Sequence, residues 1–166
     1  MKSLFLVLLL AFSSFSYERQ DWLPHWKTSS VCKDSRNQFI TSHDSLKGSC
    51  DTLKGVWYDS YNDTNITTRS KIDLDHRVSL KDADASGGAS WTTFQKFQFA
   101  NDSTNFQITS GSTNRSKGSK TPLNWSPKSN RCEFVSRYVR TKQKYNLAIQ
   151  DSIFLLKDKW CKPFKK

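Results

Sequence analysis

The sequence predicts a single α+β domain that is stapled by disulfide bonds. Short segments in the middle of the chain alternate apolar and polar residues as strands do, whereas two later segments repeat apolar residues at helical spacing. Four cysteines in a chain that opens with an export signal indicate two disulfides. A length of 166 residues is typical of one domain.

The charge of the chain restricts its partners. The sequence has 26 Lys and Arg residues against 15 Asp and Glu residues, a formal net charge of +11, and 13% of its residues are aromatic. That aromatic content excludes a disordered basic tail, and the sequence lacks the repeated apolar stretches of about 20 residues that a polytopic membrane protein needs. A basic domain of this kind is expected to bind nucleic acid, anionic lipid or acidic polysaccharide.

The N-terminus has the pattern of a secretory signal peptide. One basic residue precedes nine apolar residues, and Ser14 and Ser16 fit positions −3 and −1 of a cleavage site before Tyr17. A membrane anchor is the alternative, but nine apolar residues cannot cross a hydrocarbon core about 30 Å thick. We therefore expect a signal peptide over residues 1–16, one domain over residues 17–166, secretion or periplasmic location, and no stable membrane insertion after cleavage.

The first half of the chain carries weak secondary-structure signals. A polar, turn-like stretch separates the aromatic N-terminal region from the first strand candidate. The predicted elements are a helix within residues 32–47, turns over 59–70, a strand over 72–80 and a small-residue loop over 83–90.

A helix start is clearer in the centre. Thr92 and Gln95 have the spacing of a capping box, which opens a helix through about Ala100 with Phe94 and Phe97 on one face. After it, the sequence predicts a short strand over residues 106–109, one or two helical turns within 110–118, and a loop bracketed by Pro122 and Pro127.

Two helices are predicted near the C-terminus. On the first, an apolar face is formed by Phe134, Val135, Tyr138 and Val139, and the opposite, basic face carries Arg137, Arg140 and Lys144. On the second, a core stripe recurs at Ile149, Ile153, Leu156 and Trp160.

Three pairings are open to the four cysteines. We favour Cys32–Cys50 and Cys132–Cys161, because each closes a local loop within one half of the chain. Each bridge would contribute about 3 kcal/mol by loop-closure entropy. The alternative is a zinc site, but no two cysteines have C-x-x-C spacing and the nearest histidines do not complete a zinc pattern.

His76 is the candidate catalytic histidine among the three in the chain. It follows two carboxylates, Asp73 and Asp75, which share one face of a strand while His76 points to the other. A carboxylate beside an imidazole can hold a hard cation while the imidazole acts on a water molecule. The alternative is a surface charge cluster; for His25 and His43 the structural or solvated interpretation is preferred.

A second constellation lies further along the chain. Asn105 and Asn114 carry neutral carbonyl oxygens, which are good ligands for Mg²⁺ or Ca²⁺, and Arg115 and Lys117 could clamp a phosphate. Taken alone, this segment is also compatible with a polar turn bearing two solvated cations.

Together these motifs resemble a known nuclease signature. Asp75-His76, Asn105-Phe106 and the stretch from Asn114 to Gly118 are similar to the HNH (His-Me finger) signature. More narrowly, the chain resembles secreted HNH endonucleases related to the nuclease domain of GmrSD-type restriction enzymes. The resemblance covers most of residues 26–161.

The resemblance implies a ββα-metal (His-Me finger) core with additional helices. Its strands would lie near residues 75–80 and 106–109, and the following helical turn would hold Asn114. His76 would be the general base, Asp75 and Asn114 would bind one divalent cation, and Asn105 would support the loop that orients the base. Mg²⁺ is the first choice for the cation, with Mn²⁺ and Ca²⁺ as alternatives.

The sequence departs from the family pattern at three positions near these motifs. Arg77 replaces an apolar residue, Ser79 replaces a proline, and Ser119 stands where relatives often have an acid. None of these changes removes a proposed metal ligand or the proposed base.

The predicted function is hydrolysis of nucleic-acid phosphodiester bonds, with DNA as the first choice and RNA left open. Residues 115–144 contain nine basic residues against one acidic residue, a stripe that tracks a phosphate backbone without reading bases, so low sequence specificity is expected. The enzyme is expected to be a monomer. Within the stripe, nucleic-acid contacts are assigned to Arg115, Lys117, Arg137, Arg140 and Lys144. The alternative is a secreted basic module that binds nucleic acid, anionic glycan or membrane without catalysis.

Overall fold

In the computed structural model of the chain, residues 16–23, 28–29, 33–34, 36, 39–40 and 54–162 are described. Several predictions lie outside these residues: nearly all of the signal peptide, the Cys32–Cys50 disulfide, His25, His43 and most of the helix expected within 32–47. Every helix in the described part is too short or too polar to span a lipid bilayer.

The described β-structure begins with a short antiparallel pair, β1 (Thr28–Ser29) and β2 (Lys33–Asp34). A longer antiparallel hairpin follows, formed by β3 (Lys54–Asp59) and β4 (Thr64–Thr68). The sequence prediction of turns over residues 59–70 is wrong at β4. The reason is that only its central residue, Ile66, is buried, so the apolar signal of a strand is confined to one position. Ile66 pairs with Trp57 across the hairpin.

The centre of the fold is a second antiparallel pair, β5 (Ile72–His76) and β6 (Phe106–Ser110). In its register Leu74 lies opposite Ile108 and His76 lies opposite Phe106. A helix follows β6 without a loop. With these sheets and the helices below, the predicted mix of helices and strands is confirmed, whereas a ββα-metal core stays a prediction.

Around this pair the helices are α1 (Arg19–Trp22), α2 (Leu80–Ala85), α3 (Thr93–Ala100), α4 (Gly111–Lys117), α5 (Arg131–Lys144) and α6 (Asp151–Trp160). Short 3₁₀ turns cover Arg69–Lys71, Gly88–Ser90 and Ser103–Asn105.

The strand expected over residues 72–80 is shorter than predicted. It ends at His76, and α2 begins at Leu80 with Ser79 as its N-cap, because the Ser79 side chain accepts a hydrogen bond from the Asp82 amide at 3.1 Å. The loop expected over 83–90 therefore starts inside a helix. Ser79 therefore lies between the end of β5 and the start of α2, and its side chain caps the helix.

Helix α3 confirms the predicted capping box. The Thr92 side chain accepts from the Gln95 amide, and the Gln95 side chain accepts from the Thr92 amide at 2.9 Å. The expected apolar face is wrong in part, since Phe94 is 67% exposed and the buried residues of the helix are Phe99 and Ala100.

The two C-terminal helices pack against each other and are joined by the predicted Cys132–Cys161 disulfide. The predicted apolar face of α5 is buried, and its basic face is exposed to solvent. The stripe predicted for α6 is wrong in part, because the helix begins at Asp151, after Ile149. Only Ile153 of the stripe is fully buried, while Ile149 and Trp160 pack at the margin of the core.

Two hydrophobic clusters flank the central strand pair. One joins α1, α2, α3 and α5 through buried side chains such as Trp22, Phe99 and Tyr138. The other covers one face of the sheets with Trp57, Phe106 and their neighbours. Because β5 contributes Leu74 to the second cluster while Val78, just beyond its end, belongs to the first, the end of β5 lies where the two clusters meet.

Candidate active site

A cavity of about 370 Å³ opens at the end of β5. It is lined by Asp75 and His76 from that strand and by Asn114 and Arg115 from α4. Asp75 and His76 lie almost 40 positions before Asn114 and Arg115 in the sequence. The fold brings them together because α4 starts directly at the end of β6, the strand that pairs with β5.

His76 is buried at the wall of this cavity, with 7% of its surface exposed. Its Nε2 lies 2.7 Å from the carbonyl oxygen of Ala100. A carbonyl oxygen only accepts hydrogen bonds, so Nε2 carries the hydrogen and the basic lone pair of the neutral ring lies on Nδ1. The ring also packs edge-on against Phe106, with centroids 5.3 Å apart.

The imidazole is held in its neutral form. The pKa of His76 is lowered to about 4, chiefly by burial and also by the cations Arg19 and Lys117, against the contrary effect of the Ala100 carbonyl. At neutral pH, His76 is therefore an uncharged group that can accept a proton.

Asp75 is a buried carboxylate with two strong partners. Lys117 Nζ lies 2.8 Å from its Oδ1, and the Tyr61 hydroxyl donates to its Oδ2 at 2.8 Å. Burial raises the pKa of the Asp75 carboxyl, while Lys117 and Tyr61 oppose that rise. The carboxylate is thereby fixed in orientation from two sides.

The role predicted for Lys117 needs correction. Its side chain is fully buried, and its ammonium donates to the backbone carbonyl of His76 at 2.7 Å as well as to Asp75. A phosphate contact requires an accessible ammonium, so this position argues against it. Lys117 is instead the buried counter-ion of Asp75.

Asn114 is held beside the neighbouring carboxylate of the same strand. Its Nδ2 donates to Asp73 Oδ2 at 3.2 Å, and the guanidinium of Arg36 lies 3.7 Å from the other oxygen of Asp73. Because the amide nitrogen is used in this way, the amide oxygen is the Asn114 atom that suits a cation.

The donors at the cavity fit a hard divalent cation in type. Within the described ranges, no group of three or more His, Cys, Asp and Glu side chains could hold a metal ion. Mg²⁺, however, is typically bound by one or two carboxylates together with waters and substrate phosphates. The Asp75 oxygens retain acceptor capacity beside their hydrogen bonds, and Asn114 adds a carbonyl oxygen. The Lys117 ammonium on the same carboxylate opposes a second cation electrostatically.

Asn105 is fully buried and clamps the chain just after His76. Its Oδ1 accepts from the Val78 amide and its Nδ2 donates to the Val78 carbonyl, both at 2.9 Å. Its own carbonyl accepts from the Arg77 amide at 2.9 Å. These three hydrogen bonds fix the backbone that leaves the strand at His76.

Arg77 shows how the chain accommodates a cation at a position where the resemblance implies an apolar residue. The side chain is 3% exposed, and its guanidinium donates to the Phe106 carbonyl and to the side-chain oxygen of Gln107. The buried charge is therefore satisfied by neutral acceptors of β6, away from the lining of the cavity that contains His76.

The basic face of α5 lies at a different place. Arg137, Arg140 and Lys144 line a separate cavity of about 310 Å³ together with Thr104. Two of them have carboxylate partners: Arg137 lies 3.1 Å from Glu133, and Lys144 lies 2.6 Å from Asp102.

The cavity lining includes residues that the sequence does not predict. Tyr17 and Arg19, which precede the motif by more than 50 positions, and Lys81 of α2 also line the cavity that contains His76. No sequence signal links the first two to it. For Lys117, the three-residue spacing from Asn114 on a short helix was a signal that both residues face the strand pair.

Comparisons with known proteins identify the family. Residues 26–152 match a family described as GmrSD restriction endonucleases, C-terminal domain. The chain is also 34% identical over 137 residues to an "Uncharacterized secreted protein" of Arthroderma benhamiae, an alignment that covers 78% of this chain and 67% of the relative. No solved structure matches the chain. The chain belongs to the family of GmrSD restriction endonuclease C-terminal domains.

Proposed function

We propose that this chain is a secreted endonuclease that hydrolyses phosphodiester bonds of DNA with low sequence specificity. The observation that carries the proposal is the cavity that unites Asp75, His76 and Asn114 from distant segments. Membership of a family described as restriction endonucleases supports a nuclease activity. The export signal of the sequence and the description of the fungal relative as secreted support secretion.

The charge of the cavity suits an anionic substrate. Arg19, Lys81 and Arg115 line it, and the salt bridges formed among the described residues all use other cations. The carboxylate in the lining, Asp75, is already neutralised by Lys117. A phosphodiester entering the cavity would therefore meet three cations that form no salt bridge with a described carboxylate, and their positive charge would offset its repulsion of a water-derived nucleophile.

His76 would act as the general base. Its Nδ1 carries the lone pair because Nε2 donates to Ala100, and the ring is neutral at neutral pH. A base works best when its pKa is near the working pH. The negative charge of a bound phosphate raises the pKa of a neighbouring imidazole, so substrate binding would bring His76 closer to that range.

A divalent cation would be held by Asp75 and Asn114. When bound, such a cation stabilises negative charge on the phosphate oxygens. Lys117 and Tyr61 orient Asp75, Asp73 orients the Asn114 amide, and Asn105 fixes the backbone that follows His76. The role of these partners is to hold the reacting groups in position, where small displacements are costly.

The test is plasmid nicking by the purified chain with Mg²⁺ and with EDTA. We expect cleavage that EDTA abolishes and that His76→Ala lowers by about 10²–10⁴-fold, the usual loss for a general base. His43→Ala is the matched control, because it makes the same change at a histidine that is not assigned to the site, and it is expected to cut at the wild-type rate.

Two outcomes would contradict the proposal. Cleavage by His76→Ala at the wild-type rate would remove His76 from the mechanism. A wild-type chain that binds DNA but does not cut it with Mg²⁺, Mn²⁺ or Ca²⁺ would favour the non-catalytic binding module, which the exposed basic face of α5 would also suit.

A further inference from the structure

The segment before the family match forms part of the wall of the cavity that contains His76. The match begins at residue 26, yet Tyr17 and Arg19 line that cavity beside His76. The motifs that define the family therefore do not account for the whole lining. This segment, residues 17–22, is named the N-terminal strap below.

The strap is held by Trp22, which is fully buried. The Trp22 ring packs against Trp91 and Phe99, with centroids 5.5 and 5.7 Å apart, and its Nε1 donates to Asp84 at 3.3 Å. The fit is tight at Gly88, where an added Cβ would lie 2.6 Å from the Trp22 ring. The strap is thus anchored to α2, α3 and the turn between them.

The anchor fixes the position of Arg19. The Leu23 amide donates to the Arg19 carbonyl at 3.0 Å and closes one helical turn, so Arg19 stands one turn before the buried part of the strap. The Arg19 side chain is exposed, and both Arg19 and Tyr17 line the cavity. Tyr17 packs in turn on Trp22, with ring centroids 6.5 Å apart.

We propose that Arg19 is a substrate-binding residue that contacts a backbone phosphate of the nucleic acid at the cavity. The proposal rests on the proposed function, because it assigns a phosphodiester substrate to the same cavity. A guanidinium presents a planar pair of donors that fits a phosphate with two parallel hydrogen bonds. Arg19 lines the same cavity as His76, which places it beside the proposed reacting centre.

The strap gives Arg19 an advantage over a cation on a loose loop. A cation on a backbone that is already anchored loses less conformational freedom when it binds. The contact carries no information about the base, so Arg19 is expected to strengthen binding of all sequences alike.

The experiment measures both binding and turnover. Binding of a fluorescent DNA oligonucleotide is measured by anisotropy in EDTA, and steady-state cleavage is measured with Mg²⁺. Arg19→Ala should weaken binding and raise KM by about 10-fold or more, the loss expected for one charged hydrogen-bonding contact, with kcat changed less than KM. Arg19→Lys should recover part of the loss, because it keeps the charge but not the planar pair of donors.

Lys159→Ala is the matched control. It removes one positive charge from an exposed position of α6, so the net charge equals that of Arg19→Ala. It should leave binding within about 2-fold of wild type, since Lys159 does not line the cavity and salt screens exposed charges. Urea unfolding of both variants should match wild type, because Arg19 is exposed.

The outcomes separate this proposal from the proposed function. If the wild type cuts DNA and Arg19→Ala binds and cuts it equally well, the role of Arg19 is overturned and the proposed nuclease activity stands. DNA binding that depends on Arg19 without any cleavage would support the phosphate contact and overturn the nuclease. If the wild type neither binds nor cuts DNA, both proposals are wrong.

Discussion

The ammonium of Lys117 lies 2.8 Å from Oδ1 of Asp75, and the two side chains are 0% and 4% exposed. The pair joins α4 to β5, the two elements that supply Asn114 and His76 to the cavity. A buried ion pair contributes little net stability compared with apolar residues of the same size, but removing one partner leaves an uncompensated charge in a medium that solvates it poorly. The pair is therefore expected to fix the relative position of α4 and β5.

The first prediction follows from this pair. Lys117→Met should lower the free energy of unfolding by about 3–5 kcal/mol, because it leaves Asp75 buried without its counter-ion. The double variant Asp75→Asn with Lys117→Met should recover a large part of that loss. Urea unfolding measures both. The control is Lys120→Met, at an exposed lysine of the same region, which should stay within about 0.5 kcal/mol of wild type; a Lys117→Met protein as stable as this control would contradict the prediction.

The second prediction concerns the pH dependence of stability. Burial lowers the pKa of His76 to about 4, so the unfolded chain, with the ordinary value near 6.5, takes up the proton first as the pH falls. The stability linked to neutral His76 is complete above about pH 6.5 and is lost between about 6.5 and 4, up to about 3 kcal/mol. Urea unfolding in EDTA at several pH values should show this loss in the wild type.

The control for this titration is His76→Ala, whose free energy of unfolding cannot depend on protonation of His76. Titration of the carboxylates is shared by both proteins and cancels when their unfolding free energies are subtracted at each pH. A difference that stays constant from pH 7 to pH 4 would show that the folded protein protonates His76 as readily as the unfolded chain does.

The third prediction concerns the disulfide that joins the two C-terminal helices. Replacing Cys132 and Cys161 together by Ser opens a connection across 29 positions and should lower the free energy of unfolding by about 3–4 kcal/mol, by loop-closure entropy. The double substitution is preferable to chemical reduction, which would also reach Cys32 and Cys50. Equal urea midpoints and slopes for the variant and the wild type would show that the bridge adds no stability.

The fourth prediction concerns the basic face of α5. Neutralising Arg137, Arg140 and Lys144 together should weaken DNA binding whatever the sequence and flatten its salt dependence, since each phosphate contact contributes about 0.9 to the slope of log affinity against log salt. Arg137 and Lys144 already have carboxylate partners, so we expect the slope to change by less than three full contacts.

This binding is measured in the His76→Ala background, where cleavage does not interfere. Turnover at saturating DNA, measured with His76 intact, should change little, because these groups bind ground state and transition state alike. An unchanged slope would show that the basic face of α5 does not bind DNA. DNA binding would then be assigned to cations at the cavity, such as Arg19 and Arg115.

Local sequence signals predicted the elements whose causes lie within a few residues. The capping box at Thr92 is set by a side chain three positions away, and the buried face of α5 is set by helical periodicity. The same signals failed at β4 and at the start of α2. A strand with one buried residue carries almost no periodic signal, and the Ser79 cap was hidden within a predicted strand.

The residues of the candidate site also divide into those that the sequence indicates and those that only the tertiary structure places. The sequence by itself determined which residues stand out as candidates, namely the Asp75-His76 motif, the pair of asparagines and the Cys132–Cys161 pairing, because residue type and spacing are written along the chain. The tertiary structure alone decided that Lys117 pairs with Asp75, across 42 positions, and that Arg19 reaches the cavity through the anchor of Trp22. The physical reason is that burial and ion pairing depend on which segments pack together, and a side chain has the same residue type whether it is solvated or enclosed.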